Sequence, residues 1–313
     1  MNSYSAIPRR AALALPALVL PARAQARAQV VTTTAMLADA VRAIAPVGVA
    51  TTALMGEGVD PHLYRPTRAD TQRLLSADLV VLNGHRLEGR MEEVLARLSR
   101  AGRRVLALAE TLPRARLRTH PEYPDAADPH IWMDPLLWAD AAAALPAALA
   151  PWARDAQAGL DAYRARMQRL HDYAATAFAA VPPAQRVLVT AHDAFGYFGA
   201  RYGLELDSIQ GISTESEASL SRIEALVAML VSRRVPAIFA ETSVPDRAMR
   251  ALIEGAAARG HRVRLGGTLF SDSMGRPGSY TGTLEGMLDH NITTIARALG
   301  GAAPASGLNG RLA

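Results

Sequence analysis

Two copies of the tripeptide Asp-Pro-His place scarce histidines in the same chemical setting. The copies are Asp60-Pro61-His62 and Asp128-Pro129-His130, in a chain of 313 residues with only eight histidines. Neutral imidazole is a common ligand of zinc and other transition metals. A proline before each histidine restricts the backbone on both sides of the peptide bond, so the ligand loses less entropy on binding. The repeat therefore indicates two preorganised metal ligands.

Two further ligand-type residues, His192 and Asp272, follow predicted strands in the second half of the chain. Ligands of parallel sheets bind beyond the carboxyl ends of the strands, where His62 and His130 are also expected. A single histidine at a strand end is more often a hydrogen-bonded structural residue than a ligand. The convergence of four such positions favours a cleft with three imidazoles and one carboxylate, which suits a transition metal.

The two halves of the chain have the same order of elements. Apolar, β-branched runs alternate with helical patterns, and they begin at Val30, Val47, Ala77 and Arg103, then at Arg186, Leu204, Val235 and His261. Such alternation is typical of parallel sheets covered by helices on both faces. Between the halves, a helical pattern continues from Pro151 to Val181, about 45 Å at ~1.5 Å per residue. The predicted fold class is α/β, with two lobes joined by one long backbone helix and a metal site in the cleft between them.

The predicted organisation has four segments, which are a signal peptide at 1–28, an N-terminal lobe at 29–150, the linking helix at 151–181 and a C-terminal lobe at 182–313. The first segment has four arginines, no acid, a short apolar run and Ala-x-Ala triplets, the layout of a cleaved secretory signal. Its apolar run is too short for a membrane helix. The pair Arg9-Arg10 is compatible with twin-arginine export as well as with the general secretory route.

Composition excludes several classes of protein. Without its signal the chain has a net charge of about +1, and it has no basic cluster with interleaved aromatic residues, so we expect no nucleic-acid partner. The chain has no cysteine, which excludes disulfides, thiolate metal ligands and a lipid anchor on an N-terminal cysteine. We therefore expect a soluble, unlipidated monomer in a bacterial periplasm.

Five motifs carry a resemblance to a known family, and they are "GVDPHLYRPTRAD", "DPHIWMDP", "VTAHDAFGYFGARYG", "GISTESEAS" and "LFSDSMG". With them the chain resembles the zinc/manganese solute-binding proteins of bacterial ABC importers, or helical-backbone metal receptors, over nearly all of its mature length. The resemblance implies two lobes around one long helix, an ABC transporter permease as partner, and a metal bound as transported substrate. Carried over motif by motif, the ligands are His62, His130, His192 and Asp272.

Two features depart from the family pattern. The segment before the second ligand is short, and His120 is its only histidine before His130, whereas many zinc members have a long His-rich loop there. The family often has Asn-Gly-x-His-Leu-Glu after the third strand, but "NGHRLEG" places His85 one position early. We therefore expect His85 at the surface or beside the ligands. The remaining histidines are predicted to be structural, and they are His171, His261 and His290.

The third ligand bears on the choice of metal. Members that resemble manganese receptors often have glutamate where this chain has His192, and three imidazoles favour Zn²⁺ over Mn²⁺ by the usual affinity order. Neutral imidazoles are required, so affinity is expected to fall below about pH 6.5. The rigid helix predicts small lobe shifts, with the loop of Asp272 as the candidate for a ligand loop that moves in the metal-free state.

Two other functions remain open at this point. One is a secreted metal-dependent hydrolase, which would need an open metal position and a general base such as Glu215, Glu217 or Glu241. The chain has no His-Glu-x-x-His helix, which is one common form of such a site. The other is an exported metal-binding adhesin or chaperone that works without a transporter.

Overall fold

The computed structural model describes residues 27–120 and 123–312. The predicted signal peptide lies outside the described residues except for Arg27 and Ala28. Ala28 is already the first residue of a strand, and its backbone N–H donates to the carbonyl of Gly48 at 3.2 Å. The folded chain therefore includes Ala28, which the predicted boundary assigns to the signal.

The N-terminal lobe is a four-stranded parallel sheet with helices in the connections. Its strands are β1 (Ala28–Thr32), β2 (Val49–Ala53), β3 (Leu79–Leu82) and β4 (Val105–Ala107), in the order β2-β1-β3-β4. Its helices are α1 (Ala35–Ile44), α2 (Arg68–Ser76), α3 (Glu92–Arg100), α4 (Pro135–Ala141) and α5 (Leu145–Leu149). The predicted capping box opens α2, with reciprocal hydrogen bonds between Thr67 and Asp70. Alternating strands and helices thus bring the carboxyl ends of the strands to one edge.

The C-terminal lobe contains two pairs of parallel strands. β5 (Val187–Thr190) pairs with β6 (Glu205–Ser208), and β7 (Ala237–Glu241) pairs with β8 (Arg264–Leu269), while β5 lies beside β7. The helices are α7 (Gly196–Tyr202), α8 (Leu220–Ser232), α9 (Arg247–Ala258) and α10 (Leu284–Ala298). The prediction that His261 begins a strand is wrong, because its backbone N–H and ring nitrogen bond to Ala256 and Val235 and close the turn after α9.

The linking helix is shorter than predicted. Helix α6 comprises 24 residues, Ala156–Ala179, rather than the whole of 151–181. Pro151 lacks an N–H, and the N–H groups of Trp152 and Ala153 both donate to Leu149, so the chain turns before α6 begins. At the other end, Pro182 and Pro183 disfavour helical backbone at the preceding positions. At ~1.5 Å per residue the helix is about 36 Å long.

One hydrophobic core runs through both lobes. Helix α6 contacts α1, α4 and α10, and its buried face includes Tyr163, Met167, Leu170 and Phe178 at helical spacing. The same cluster of buried side chains includes residues of β1 and α1 on one side and of β7, β8 and α10 on the other. The lobes are therefore packed on a common helix. Among the described residues, no helix combines the length and the apolar character needed to cross a bilayer.

Candidate metal centre

The four predicted ligands meet between the lobes. His62 follows β2, His130 precedes a short 3₁₀ turn, and His192 and Asp272 follow β5 and β8 closely. All four residues are buried, and one ligand atom from each lies within 4.8 Å of the others. The edges of both lobes thus supply two ligand-type side chains each, as the order of strands predicts.

The distances between these atoms match the edges of a small coordination polyhedron. Nε2 of His62 and Nε2 of His130 are 3.4 Å apart, and Nε2 of His192 is 3.0 Å from Oδ2 of Asp272. The other carboxylate contacts are 3.4 Å to His130 and 3.6 Å to His62. A tetrahedral ion with bonds of ~2.0–2.1 Å has ligand–ligand edges of ~3.3–3.4 Å. The group is therefore close to the size that surrounds a zinc ion, although the limit of 4.8 Å on its ligand-atom separations exceeds such an edge.

Three of these atoms also lack conventional partners. In the described part of the chain, Nε2 of His192 and both carboxylate oxygens of Asp272 are buried without an aligned hydrogen bond. A buried polar atom with no partner is costly, and a buried charge is more so. A cation at the centre of the group would satisfy all three atoms, so the donor set fits a metal.

Comparison with known proteins places this geometry in a family. The family model for the periplasmic component A of the zinc-uptake complex, ZnuA, matches residues 30–298. The chain belongs to this family. Its members are receptors of ABC importers and not enzymes.

Two relatives illustrate the range of the family. The zinc-binding protein TroA of Treponema pallidum is 43% identical over 282 residues, covering 89% of this chain and 91% of its own length. The manganese-binding lipoprotein MntA of Bacillus subtilis is 41% identical over 275 residues, covering 87% and 89%.

Solved structures agree with the described fold. The structure of T. pallidum TroA aligns with a TM-score of 0.83 over 87% of this chain and 99% of that one. Fe(III)-bound YtgA of Chlamydia trachomatis aligns with a TM-score of 0.79 at 26% identity, over 88% and 99%. The two-lobed α/β architecture around a long helix is thus the fold of this family.

Buried carboxylates orient two of the histidines. Asp128 accepts the backbone N–H of His130 at 3.0 Å and contacts its Nδ1 at 2.8 Å. Glu241 does the same for His192, at 2.9 Å to the backbone nitrogen and 2.5 Å to Nδ1. A carboxylate on Nδ1 fixes the ring and leaves Nε2 for the metal.

The aspartates of the repeated tripeptide have a role that sequence reasoning missed. Asp60 accepts the backbone N–H of His62 at 2.9 Å, as Asp128 does for His130. Each aspartate therefore closes a turn that aims the histidine two positions later. The shared Asp two residues before each histidine was the signal available in the sequence. Glu241 had no comparable local signal, because it lies 49 residues from His192.

The carboxylates also set the protonation of the metal-free site. Burial lowers the pKa of His130, but the hydrogen bond to Asp128 and the charge of Asp272 outweigh it and raise the pKa to about 9. Burial likewise opposes protonation of His192, but the charges of Glu241 and Asp272 hold its pKa well above the usual value. The raised pKa values therefore favour the doubly protonated, charged form of both rings at neutral pH, and a metal must displace one proton from each ring.

The first ligand and the carboxylate behave differently. Burial lowers the pKa of His62 to about 3, despite the opposing charge of Asp272. Burial alone would raise the pKa of Asp272, but the charges of the neighbouring His192 and His130 hold it well below the usual value. Hence Asp272 is ionised and His62 is neutral before any metal arrives.

The other histidines lie outside the ligand group. His85 has a left-handed backbone with φ of 51°, and its Nδ1 accepts the N–H of Ala127 at 3.4 Å. His120 lines a cavity in front of the site together with His62. The other three histidines were predicted to be structural. His171 bonds to the hydroxyl of Tyr202, His261 to the carbonyl of Val235 and His290 to the carbonyl of Thr268.

Two of the carboxylates considered as hydrolytic bases are engaged elsewhere. Glu241 contacts His192 on the side away from the ligand atoms, and Glu215 pairs with Arg90 at 3.3 Å. Glu217 is exposed. This arrangement agrees with a receptor that encloses its metal rather than an enzyme that activates water on it.

Proposed function

We propose that this protein captures a divalent transition metal in the periplasm, with Zn²⁺ first and Mn²⁺ as the alternative, and delivers it to an ABC-type permease. The proposed ligands are His62, His130, His192 and Asp272. The observation that carries the proposal is the buried convergence of these four ligand atoms within 4.8 Å, with both oxygens of the carboxylate free of other partners. The metal is cargo, so the site must bind it firmly and still release it.

The chemistry of the donors supports zinc over manganese. Three imidazoles with one carboxylate form a nitrogen-rich site, which zinc prefers, while manganese prefers more oxygen ligands. Relatives named for zinc and for manganese are almost equally similar to this chain, at 43% and 41% identity, so they do not decide the metal.

Competitive titration decides between the metals. Metal-stripped protein is titrated with Zn²⁺ in the presence of Mn²⁺, and the bound metal is quantified by mass spectrometry after dialysis. We expect zinc to displace manganese at equimolar concentration. Retention of manganese against zinc would reverse the assignment of the metal, and binding of neither ion would reject the function.

We also infer that the chain is exported, cleaved and free of lipid, with a signal peptide that ends before Ala28, an N-terminal lobe up to residue 150, a linking helix within 151–181 and a C-terminal lobe at 182–313. The absence of cysteine supports an unlipidated product, although several relatives are named lipoproteins. The place of Ala28 in β1 supports cleavage after Ala24 or Ala26, which keeps that residue in the sheet. Mass spectrometry of periplasmic extract should find an N-terminus at Gln25 or Arg27, and an intact Met1 would contradict export with cleavage.

The monomer and the permease partner are tested together. Light scattering of the purified, metal-loaded protein should give the mass of one chain. Deletion of the gene should abolish high-affinity metal uptake through a neighbouring permease and ATPase pair. Normal uptake in the deletion strain would favour an adhesin or a metal chaperone without a transporter.

A further inference from the structure

The four proposed ligands are not held equally. Nδ1 of His130 and Nδ1 of His192 each contact a buried carboxylate, at 2.8 Å and 2.5 Å. No such carboxylate lies at Nδ1 of His62 in the ranges that the structure describes. Among the three histidine rings, that of His62 is therefore the least restrained, because it has no carboxylate at Nδ1.

The loop of Asp272 is fixed from several sides. Nε1 of Trp132, in the N-terminal lobe, donates to the carbonyl of Ser271 at 2.9 Å, and both residues are fully buried. The side-chain amide of Asn291, in α10, accepts a hydrogen bond from the backbone N–H of Phe270 and donates one to its carbonyl. These contacts favour a loop that stays in place, in contrast to the motion of this loop that the sequence predicts.

His62 is also the proposed ligand that lies nearest to solvent. A cavity of about 120 Å³ in front of the site is lined by His62, Glu215 and others, while the other three ligands are not among its lining residues. The side chain of His62 is 3% exposed, and those of His130, His192 and Asp272 are fully buried. The shortest way to the metal from this cavity therefore leads past His62.

The opposite lobe supports the His62 loop from across the cleft. Asp60 uses Oδ1 for the backbone N–H of His62, and its Oδ2 accepts the hydroxyl of Thr214 at 2.6 Å. The next residue, Glu215, accepts from Nε of Arg90 at 3.3 Å. Residues 211–217 of the C-terminal lobe are thus bonded to the His62 loop through Thr214, and to the turn before α3 through Glu215.

We propose that His62 is the ligand that opens to load and release the metal, and that Thr214 is the positioning residue that holds it in place through Asp60. A metal completes the site when the His62 loop closes against the other three ligands. Displacement of residues 211–217 breaks the contact between Thr214 and Asp60 and frees the loop. This inference rests on the proposed metal-binding function and adds the path and the control of exchange.

Stopped-flow transfer of Zn²⁺ from the loaded protein to a chromogenic chelator tests the proposal. Thr214→Val keeps the shape of the side chain and removes the donor. Loss of a hydrogen bond to a carboxylate should raise the release rate about tenfold or more. Thr214→Ser keeps the hydroxyl donor, so this variant should release zinc at the wild-type rate. Ser216→Ala removes an exposed hydroxyl from the same segment and should leave the rate unchanged.

A double-mutant cycle separates positioning from a general structural effect. In a His62→Ala background, Thr214→Val should have no further effect on the release rate, because it acts through His62. In a His192→Ala background the tenfold effect should remain. Glu215→Gln weakens the other contact of residues 211–217 with the N-terminal lobe, the ion pair with Arg90, and should give a smaller increase in rate.

Specific outcomes overturn the proposal. Release from Thr214→Val and Glu215→Gln at the wild-type rate would show that the segment does not control exchange. An undiminished effect of Thr214→Val in the His62→Ala background would show that it does not act through that ligand. A wild-type protein that binds neither zinc nor manganese would reject the metal-binding function itself, which is a distinguishable result.

Discussion

The carboxylates behind His130 and His192 shape the chemistry of the site as much as the ligand atoms do. They raise the pKa of both rings and orient both Nε2 atoms toward Asp272. The sequence predicted four ligand-type side chains from their places after strands, and the structure brings these four side chains together. It did not identify Asp128 and Glu241 as partners, because hydrogen bonding across the fold depends on side-chain positions that no local pattern specifies.

Replacement of single ligands tests the site directly. His62→Ala, His130→Ala and His192→Ala should each reduce zinc affinity by about 100-fold or more, since even the partners behind metal ligands cost 10–100-fold when removed. His290→Ala is the matched control, because that ring bonds to the carbonyl of Thr268 and not to the site. Titration calorimetry measures all four variants. Near-wild-type affinity in two of the three ligand variants would contradict the assignment.

Protons compete with the metal, and the raised pKa values extend this competition to higher pH than the sequence predicts. Each proton displaced from a ring whose pKa lies above the pH lowers the apparent affinity by about tenfold per unit fall in pH. His130 and His192 both contribute, whereas His62 is already neutral. Affinity should therefore rise from pH 6.5 to 8.5, and not only up to the ordinary histidine pKa.

Calorimetry in buffers of different ionisation enthalpy counts the protons released at pH 7. We expect about two per zinc ion, one from each of these rings. A constant affinity across this pH range, with no protons released, would show that the two rings are neutral in the metal-free protein.

Among the elements, helix α6 shows why Gly159 is present in an otherwise strong helix-forming sequence. A Cβ added at this position would overlap the carbonyl of Ile44, at the end of α1. The glycine therefore allows α1 and α6 to approach closely and is not simply a weak point in the helix.

Gly159→Ala should destabilise the protein although alanine is the better helix former. The intrinsic gain is ~1 kcal/mol, while overpacking typically costs ~1–3 kcal/mol, more where backbone must move. Urea unfolding of the metal-free protein measures the difference. Gly56→Ala, where nothing lies within 4 Å of the added Cβ, is the control. A stabilised Gly159→Ala variant would show that α1 moves aside without cost.

The elements also show the limits of prediction from sequence. All eight strands are present near their predicted places, because apolar β-branched runs between helical patterns leave few alternatives. The predicted bounds of α6 and the predicted start of β8 were wrong. The start of α6 depends on the turn in which Trp152 and Ala153 bond to Leu149, and the start of β8 depends on the hydrogen bond between His261 and Val235. These hydrogen bonds depend on the three-dimensional positions of the residues, which hydrophobic periodicity does not reveal.

For the whole molecule, the shared core sets the scale of motion. Both lobes are packed against α6, and Trp132 joins them again beside the site. Wide hinge closure would break this core, so the protein is expected to respond to metal by local ordering of loops.

Zinc should raise the melting temperature and protect the four ligand loops from hydrogen exchange, with little change in shape. A thousandfold excess over Kd adds ~4 kcal/mol to the free energy of unfolding. Small-angle scattering with and without zinc measures the radius of gyration. A decrease of several ångströms on loading would reject the rigid arrangement and favour hinge closure.

The position of Trp132 gives the protein an intrinsic optical signal. Its indole is centred 5.3 Å from the ring of His130, whereas Trp138 bonds to Tyr163 and Trp152 lies against Arg104. A protonated imidazole quenches indole emission, so displacement of that proton by diamagnetic Zn²⁺ should brighten Trp132, while paramagnetic Mn²⁺ at the same place should dim it. The emission of a variant that keeps only this tryptophan would then report both the loading of the site and the identity of the ion, without any added dye.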